Sequence, residues 1–348
     1  MVDGHKHAAQ IHGVHTDAHG NLNGHLLALY ASLTNNPRHN EQNHRGNCSA
    51  DGQESQRPRI FCAITGDYET SAPQQDKKPW RHSFKQSFVH PMSVGGAAFT
   101  TVAHMTNEEL LATACPIINE IGAAFYFIPE TGAVGKELNL RGMEFYVLGR
   151  GGPLGDCDGA ALAAAFGYFK PAMIGGIWED AKAKCDPRKA GRAHLECAAA
   201  LGRAKFTGVA NLDAIVAALD KVNNAADPDG LSLYAAMRTE PLAADAPGRA
   251  MQLLALVREF RGAAHLIALR ASGLDTKTAH HIKRPDMVPQ FGYTPEDAPT
   301  ITDATHAQMA AAEKLTDALC APAYAVLSES ERTTLANGVA ALKSALQS

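Results

Sequence analysis

Apolar residues first settle into a helical rhythm near Leu110. Leu110, Leu111, Ala114, Ile117, Ile118, Ile121, Ala124 and Phe125 recur three and four residues apart, the spacing that lines one face of an α-helix. Immediately upstream, Thr106-Asn-Glu-Glu109 has the form of a capping box, in which the Thr hydroxyl and the Glu carboxylate each accept from the other residue's amide. Pro116 inside the run predicts a kink. Farther along, the alanine-rich stretches "DGAALAAAFGYF", "RAHLECAAALGRA", "NLDAIVAALDKVNNA" and "THAQMAAAEKLTDALCA" favour helix by propensity. Asn211 is placed to cap a helix that begins at Leu212, and "ADPDG" at 226–230 reads as a loop. Arg249 to Ala271 reads as one long, largely apolar helix stopped by Gly273. Ser328-Glu-Ser-Glu331 is a second capping box, opening a final helix. No stretch alternates well enough over five residues to argue a sheet. The expectation is an all-α chain, with at most a short β pair.

Composition divides the chain near residue 105. Eleven of the sixteen histidines lie in residues 1–104, a segment rich in Gln, Asn, Arg and Gly without sustained periodicity. It reads as a disordered or spurious N-terminal extension, its histidine tract offering no helical pair of metal ligands. Residues 105–348 carry 23 Lys and Arg against 28 Asp and Glu, a net charge of −5. A domain that grips DNA unaided is usually basic or has a basic face. The seven cysteines form no CxxC pair, which suits reduced thiols in a cytoplasmic protein. Cys185, His194 and Cys197 match no zinc spacing and read as buried, inert groups. No metal and no cofactor is expected. No run of 18 apolar residues is present, so no membrane partner is expected either.

Two segments align at an offset of 120 residues, "RGMEFYVLGRGGPLGD" from Arg141 and "RGAAHLIALRASGLD" from Arg261. Arg141, Gly142, Arg150 and Leu154 match Arg261, Gly262, Arg270 and Leu274. Each copy ends a helix in a glycine-containing turn and is followed by a short helical candidate, the skeleton of a helix-turn-helix unit. The reading is of two related units, about 105–200 and 212–300, packed around a pseudo-twofold axis and followed by C-terminal helices at 303–347.

Candidate chemistry concentrates on "REFRGAAH". Arg258, Arg261 and His265 lie three and four residues apart and share one helix face, with Glu259 and Phe260 pointing elsewhere. Two fixed cations and a titratable ring suit a carboxylate or phosphate. The bland alternative pairs these arginines with Glu120, Glu130 or Glu144, holding the two units together. Gly262 in the helix interior costs about 1 kcal/mol against Ala, an expense often kept for close helix approach. Tyr146 and Arg150 face one side of their helix, and Phe166, Tyr168, Phe169, Met173 and Trp178 fill core or wall an apolar pocket. "GRGGPLG" lacks the pattern of a phosphate loop and reads as turn chemistry. Lys277, Lys283 and Arg284, in "KTAHHIKR", are the one basic helical segment and would face DNA if DNA is bound.

At "LRGMEFYVLGRGGPLGD", "FGYFKPAM" and "LVREFRGAAHLIALRASGLD", together with "FYFIPE" at 125–130, the chain resembles an actinobacterial family of winged-helix-related, helix-turn-helix proteins, distantly MarR-like. The resemblance covers about residues 108–346. Two features depart from it. Gly122 or a neighbour stands where family members carry a histidine, and the proline-broken segment "PDMVPQFGYTPEDAPTIT" leaves little room for a β wing. The resemblance implies duplicated helix-turn-helix units and a dimer seam on helices 305–346. Three functions are in play. The favoured one is a small-molecule-binding protein derived from a regulator, using Tyr146, Arg150, Tyr168, Arg258, Arg261 and His265 on an anionic or aromatic ligand. The alternatives are an enzyme with His265 as general acid or base, and a DNA-binding transcriptional regulator.

Overall fold

The computed structural model describes residues 104–348, so the expectations for residues 1–103 lie outside the described residues. Twelve α-helices follow in chain order: α1 (Asn107–Ile121), α2 (Pro129–Glu137), α3 (Met143–Gly151), α4 (Gly159–Phe166), α5 (Pro171–Lys182), α6 (Pro187–Phe206), α7 (Leu212–Ala225), α8 (Ser232–Met237), α9 (Ala246–Ala271), α10 (Thr276–Lys283), α11 (Asp303–Tyr324) and α12 (Glu329–Gln347). Short 3-10 turns occupy Gly152–Leu154, Pro285–Phe291 and Pro295–Asp297. No strand occurs among the described residues, so the allowance for a β pair is withdrawn. The segment where a wing would lie folds instead as the two proline-led 3-10 turns after α10, because Pro285, Pro289 and Pro295 lack the amide a strand ladder needs.

Local signals account for most helix ends. Thr106 and Glu109 close the expected capping box, with Thr106 N donating to Glu109 Oε2 at 2.8 Å and Glu109 N to Thr106 Oγ1 at 3.1 Å. Ser328 and Glu331 do the same for α12. Asn211 stands at the N-cap of α7 but makes no side-chain cap; its backbone turns left-handed at φ 58°, a conformation Asn tolerates better than most residues. The α9 terminus is a Schellman motif. Gly273, at φ 76°, donates to Arg270 O at 3.1 Å and Leu274 N donates to Leu269 O at 2.9 Å.

The core is organised around α9, which is buried along nearly its whole length from Gly248 to Leu269. Helices α1, α6, α7 and α11 pack on it. The α6 contact is close because Gly202 has no side chain: a Cβ there would lie 2.1 Å from Pro247 O. Arg249 ties α9 to α7 through two bonds to Asp220, at 2.8 and 2.7 Å. First and last helices run side by side in the same direction, since Arg332 Nε donates to Met105 O at 2.8 Å and Lys343 pairs with Glu120 at 2.7 Å. A smaller apolar cluster of Leu269, Leu274, Ala279, Met309 and Ala312 joins the α9 terminus to α10 and α11.

The helix, turn, helix arrangement occurs twice, as α3–α4 and as the end of α9 with α10. Each second helix is capped by an aspartate: Asp158 Oδ1 accepts from Ala161 N at 2.7 Å, and Asp275 Oδ1 from Thr278 N at 2.8 Å. The aligned glycines differ. Gly142 is the N-cap of α3, whereas Gly262 lies deep inside α9.

Candidate functional site

Arg150 ends α3 pointing into the protein, 8% exposed. Its Nε and Nη2 donate to Glu259 Oε2 and Oε1 at 3.0 and 2.7 Å, and Nη1 donates to Tyr146 Oη at 3.2 Å. The Phe166 ring lies 4.2 Å from the guanidinium carbon. Burial alone would raise the Glu259 carboxyl, but the Arg150 charge and its hydrogen bonds outweigh that and hold it below the ordinary value. Glu259 is 2% exposed and faces α3, whereas Arg261 and His265 face α11. Glu259 is the carboxylate that neutralises Arg150.

The other two arginines expected to bind a ligand, both on α9, are also engaged. Arg258 donates from Nε to Asn119 O at 3.1 Å and from Nη1 to Tyr126 Oη at 3.2 Å, and sits 4.0 Å from Glu259. Arg261 Nη2 meets Asp317 at 2.9 Å and Glu313 at 3.4 Å, both on α11, while its buried Nε has no partner. The carboxylates expected to hold these arginines do other work: Glu120 pairs with Lys343 and Glu144 with Lys184, and Glu130 makes no ion pair among the described residues. Close helix approach does not explain Gly262 either. A Cβ there would meet nothing within 4 Å.

His265 Nδ1 lies 2.7 Å from Thr316 Oγ1, a hydroxyl that can donate to the ring or to Ala312 O, also at 2.7 Å. Burial lowers the pKa of His265, so the ring is neutral near pH 7. Tyr168 lies in the turn between α4 and α5 at φ 58°. Its hydroxyl makes no hydrogen bond among the described residues. Burial raises that phenol well above its usual range, aided by Glu313 and opposed by Arg258, Arg261 and Arg150.

The six expected ligand residues fall into two groups on opposite sides of α9, one toward α3 and α1 and one toward α11. Tyr146, Arg150 and Arg258 join through Glu259 and Tyr126, whose ring lies 5.3 Å from that of Tyr146. Tyr168, Arg261 and His265 meet beside Glu313. Lys283 joins the same carboxylate at 2.8 Å, so four cations (Arg150, Arg258, Arg261, Lys283) face three carboxylates (Glu259, Glu313, Asp317). The group around Glu259 has one positive charge in excess, and the group around Glu313 is balanced. Of the other residues proposed to face DNA, Arg284 pairs with Asp286 at 3.3 Å and Lys277 is half-buried. Glu259 was findable in sequence as an acid inside a long apolar helix, where a carboxylate needs a partner. Glu313, Thr316 and Asp317 carried no such signal.

Two cavities lie elsewhere. One of about 460 Å³ opens between α4, α8 and α9 beside Arg270, and one of about 590 Å³ lies between α2, α6 and the last turn of α12. None of the six residues lines either. Among the described residues no three His, Cys, Asp or Glu side chains are placed to hold a metal ion. His194 instead stacks on Tyr126 at 5.4 Å between Phe125 and Phe145. No helix among the described residues is long and apolar enough to cross a membrane.

Among known families, the model of a helix-turn-helix family matches residues 112–348. The chain belongs to that helix-turn-helix family. Comparison with curated proteins and with solved structures gave no match. Within the helix-turn-helix framework the second helix of each pair is poorly equipped to grip a phosphate backbone. In α4, "GAALAAAF" has no charge, and in α10 Lys283 is held by a carboxylate.

Proposed function

We propose that this helix-turn-helix protein binds a small monoanionic ligand, aromatic or hydroxyl-bearing, on the strip formed by Arg258, Arg261, Gly262, His265 and Tyr168. The observation that carries the reading is the open space over Gly262, on the helix face that it shares with Arg258 and His265. Around it stand the Tyr168 hydroxyl, the Arg258 and Arg261 guanidiniums and the His265 imidazole. A carboxylate could take the donors while a ligand hydroxyl meets the imidazole. Tyr146 and Arg150 support the strip from below through Glu259. In the same reading residues 105–200 and 212–300 are copies of one ancestral unit, and the α11 and α12 region forms a homodimer seam.

The test is titration with aryl carboxylates, following the His265 ring by NMR, alongside the matching aryl amines. The carboxylates should shift the ring signals saturably and the amines should not. Gly262→Leu should abolish the shifts with the fold retained. Ring signals that ignore every anion at millimolar concentration would defeat the proposal.

Family membership favours a second reading, DNA binding through α10. In that case Lys283→Ala with Arg284→Ala should remove salt-sensitive duplex binding in an anisotropy assay. The fixed Thr316–His265 contact favours general acid–base catalysis as a third, and it requires turnover that His265→Ala eliminates.

A further inference from the structure

Tyr126, Tyr146, Arg150, Arg258 and Glu259 close a ring of contacts where α3 and the α1–α2 connection meet α9. Tyr146 Oη accepts from Arg150 at 3.2 Å, and Tyr126 Oη accepts from Arg258, also at 3.2 Å. Glu259 lies between the two guanidiniums, 2.7 Å from Arg150 and 4.0 Å from Arg258. The two tyrosine rings meet edge to face, 5.3 Å apart.

A guanidinium has no lone pair, so each phenol oxygen can only accept from its arginine. Each phenol keeps its own proton, and neither donates it to a group among the described residues. Burial raises the Tyr126 phenol against the pull of Arg258 and Arg150, so it stays protonated near pH 7. Arg258 is committed through Nε and Nη1, and its Nη2 makes no bond among the described residues. Its side chain is 25% exposed, against 10% for Arg150, so Arg258 is the cation that solvent reaches.

Charge points the same way. Two cations share Glu259, whereas Arg261 and Lys283 are matched by Glu313 and Asp317. An incoming anion is therefore drawn to Arg258 rather than to Arg261. Gly262 lies one helical turn from Arg258, so the open space over it borders that guanidinium.

We propose that the carboxylate of a bound monoanion sits on Arg258, with the Tyr126 and Tyr146 hydroxyls donating to it, and that Arg261 stays with its own carboxylates. The inference rests on the reading of the strip as a ligand site and names the end that holds the charge.

The experiment compares benzoate with benzamide, its uncharged isostere, by calorimetric titration of the full chain. The unaltered chain should prefer benzoate. Tyr126→Phe and Tyr146→Phe each remove one hydroxyl; each should weaken benzoate roughly threefold to tenfold and leave benzamide unchanged. Arg258→Gln should weaken benzoate by at least about tenfold and erase the preference, and Arg258→Lys should keep part of it. Arg261→Gln should leave the preference in place. Equal losses of benzoate and benzamide would mark these residues as structural supports and overturn the assignment. A preference that survives Arg258→Gln or both phenylalanine variants, or that vanishes with Arg261→Gln, would overturn it while leaving the strip as a ligand site. Failure of the unaltered chain to bind benzoate at all would overturn both.

Discussion

Glu259 and Arg150 illustrate what a single buried charge demands. Each has lost its water, and the two are joined by hydrogen bonds at 3.0 and 2.7 Å, with Tyr146 accepting a third from Arg150. Glu259→Leu would strand the guanidinium beside Phe166 and should cost about 3–5 kcal/mol in urea unfolding. The double variant Arg150→Met, Glu259→Leu should recover most of that loss. Equal destabilisation by single and double variants would show that packing, rather than charge, dominates the site. Buried histidines give a pH signature. Burial, with the nearby Arg150 charge, pushes His194 down to about 3, and burial pushes His280 down to about 4. Both lie below the ordinary 6.5, so on acidification the unfolded chain takes up these protons first. Stability is therefore complete above about pH 6.5 and should fall by about 1.4 kcal/mol per pH unit for each histidine as pH drops toward 5. His265 is shifted in the same direction and adds to the slope. Urea midpoints at pH 7 and pH 5 measure it, and His194→Phe should reduce the difference. At this scale the arginines and His265 stood out in the sequence, as charges on an apolar helix. Their partners did not, because Arg150 meets Glu259 across 109 residues and Arg261 meets Asp317 across 56.

Helices were the most legible level, because their signals are local. The capping boxes at Thr106 and Ser328, the apolar run of α9 and the stop at Gly273 depend on a few adjacent residues. Thr106→Ala should lower stability by about 1 kcal/mol in thermal or urea unfolding. A loss near zero would mean that α1 is held by tertiary packing alone. Asn211 was placed correctly, but its left-handed backbone was not visible, since Asn can cap with its side chain or by turning the chain. Gly262 supplies a sharper element-level prediction. Nothing within 4 Å obstructs a methyl group there, so Gly262→Ala should stabilise α9 by up to about 1 kcal/mol. If the strip is a ligand site, the same change should weaken the ligand. A rise in thermal midpoint with no loss of anion binding would separate the glycine from function.

For the whole molecule, helix content was readable from periodicity and alanine content, but the order in which helices pack was not. The offset of 120 residues pointed to two helix-turn-helix pairs, yet the matched glycines occupy different places, one capping a helix and one inside it. Residues 105–348 carry a net charge of −5, and Lys283 and Arg284 are both paired. Duplex DNA binding should accordingly be weak even at low ionic strength. Nanomolar affinity with a steep salt slope would contradict this expectation. The pairing of α1 with α12 reaches farther. A groove made by the first helix is filled by the last, held by Arg332 on Met105 and Lys343 on Glu120. Two segments more than 200 residues apart in the chain therefore close one face together, and a polypeptide cut before Ser328 should show a lower urea midpoint than the whole chain.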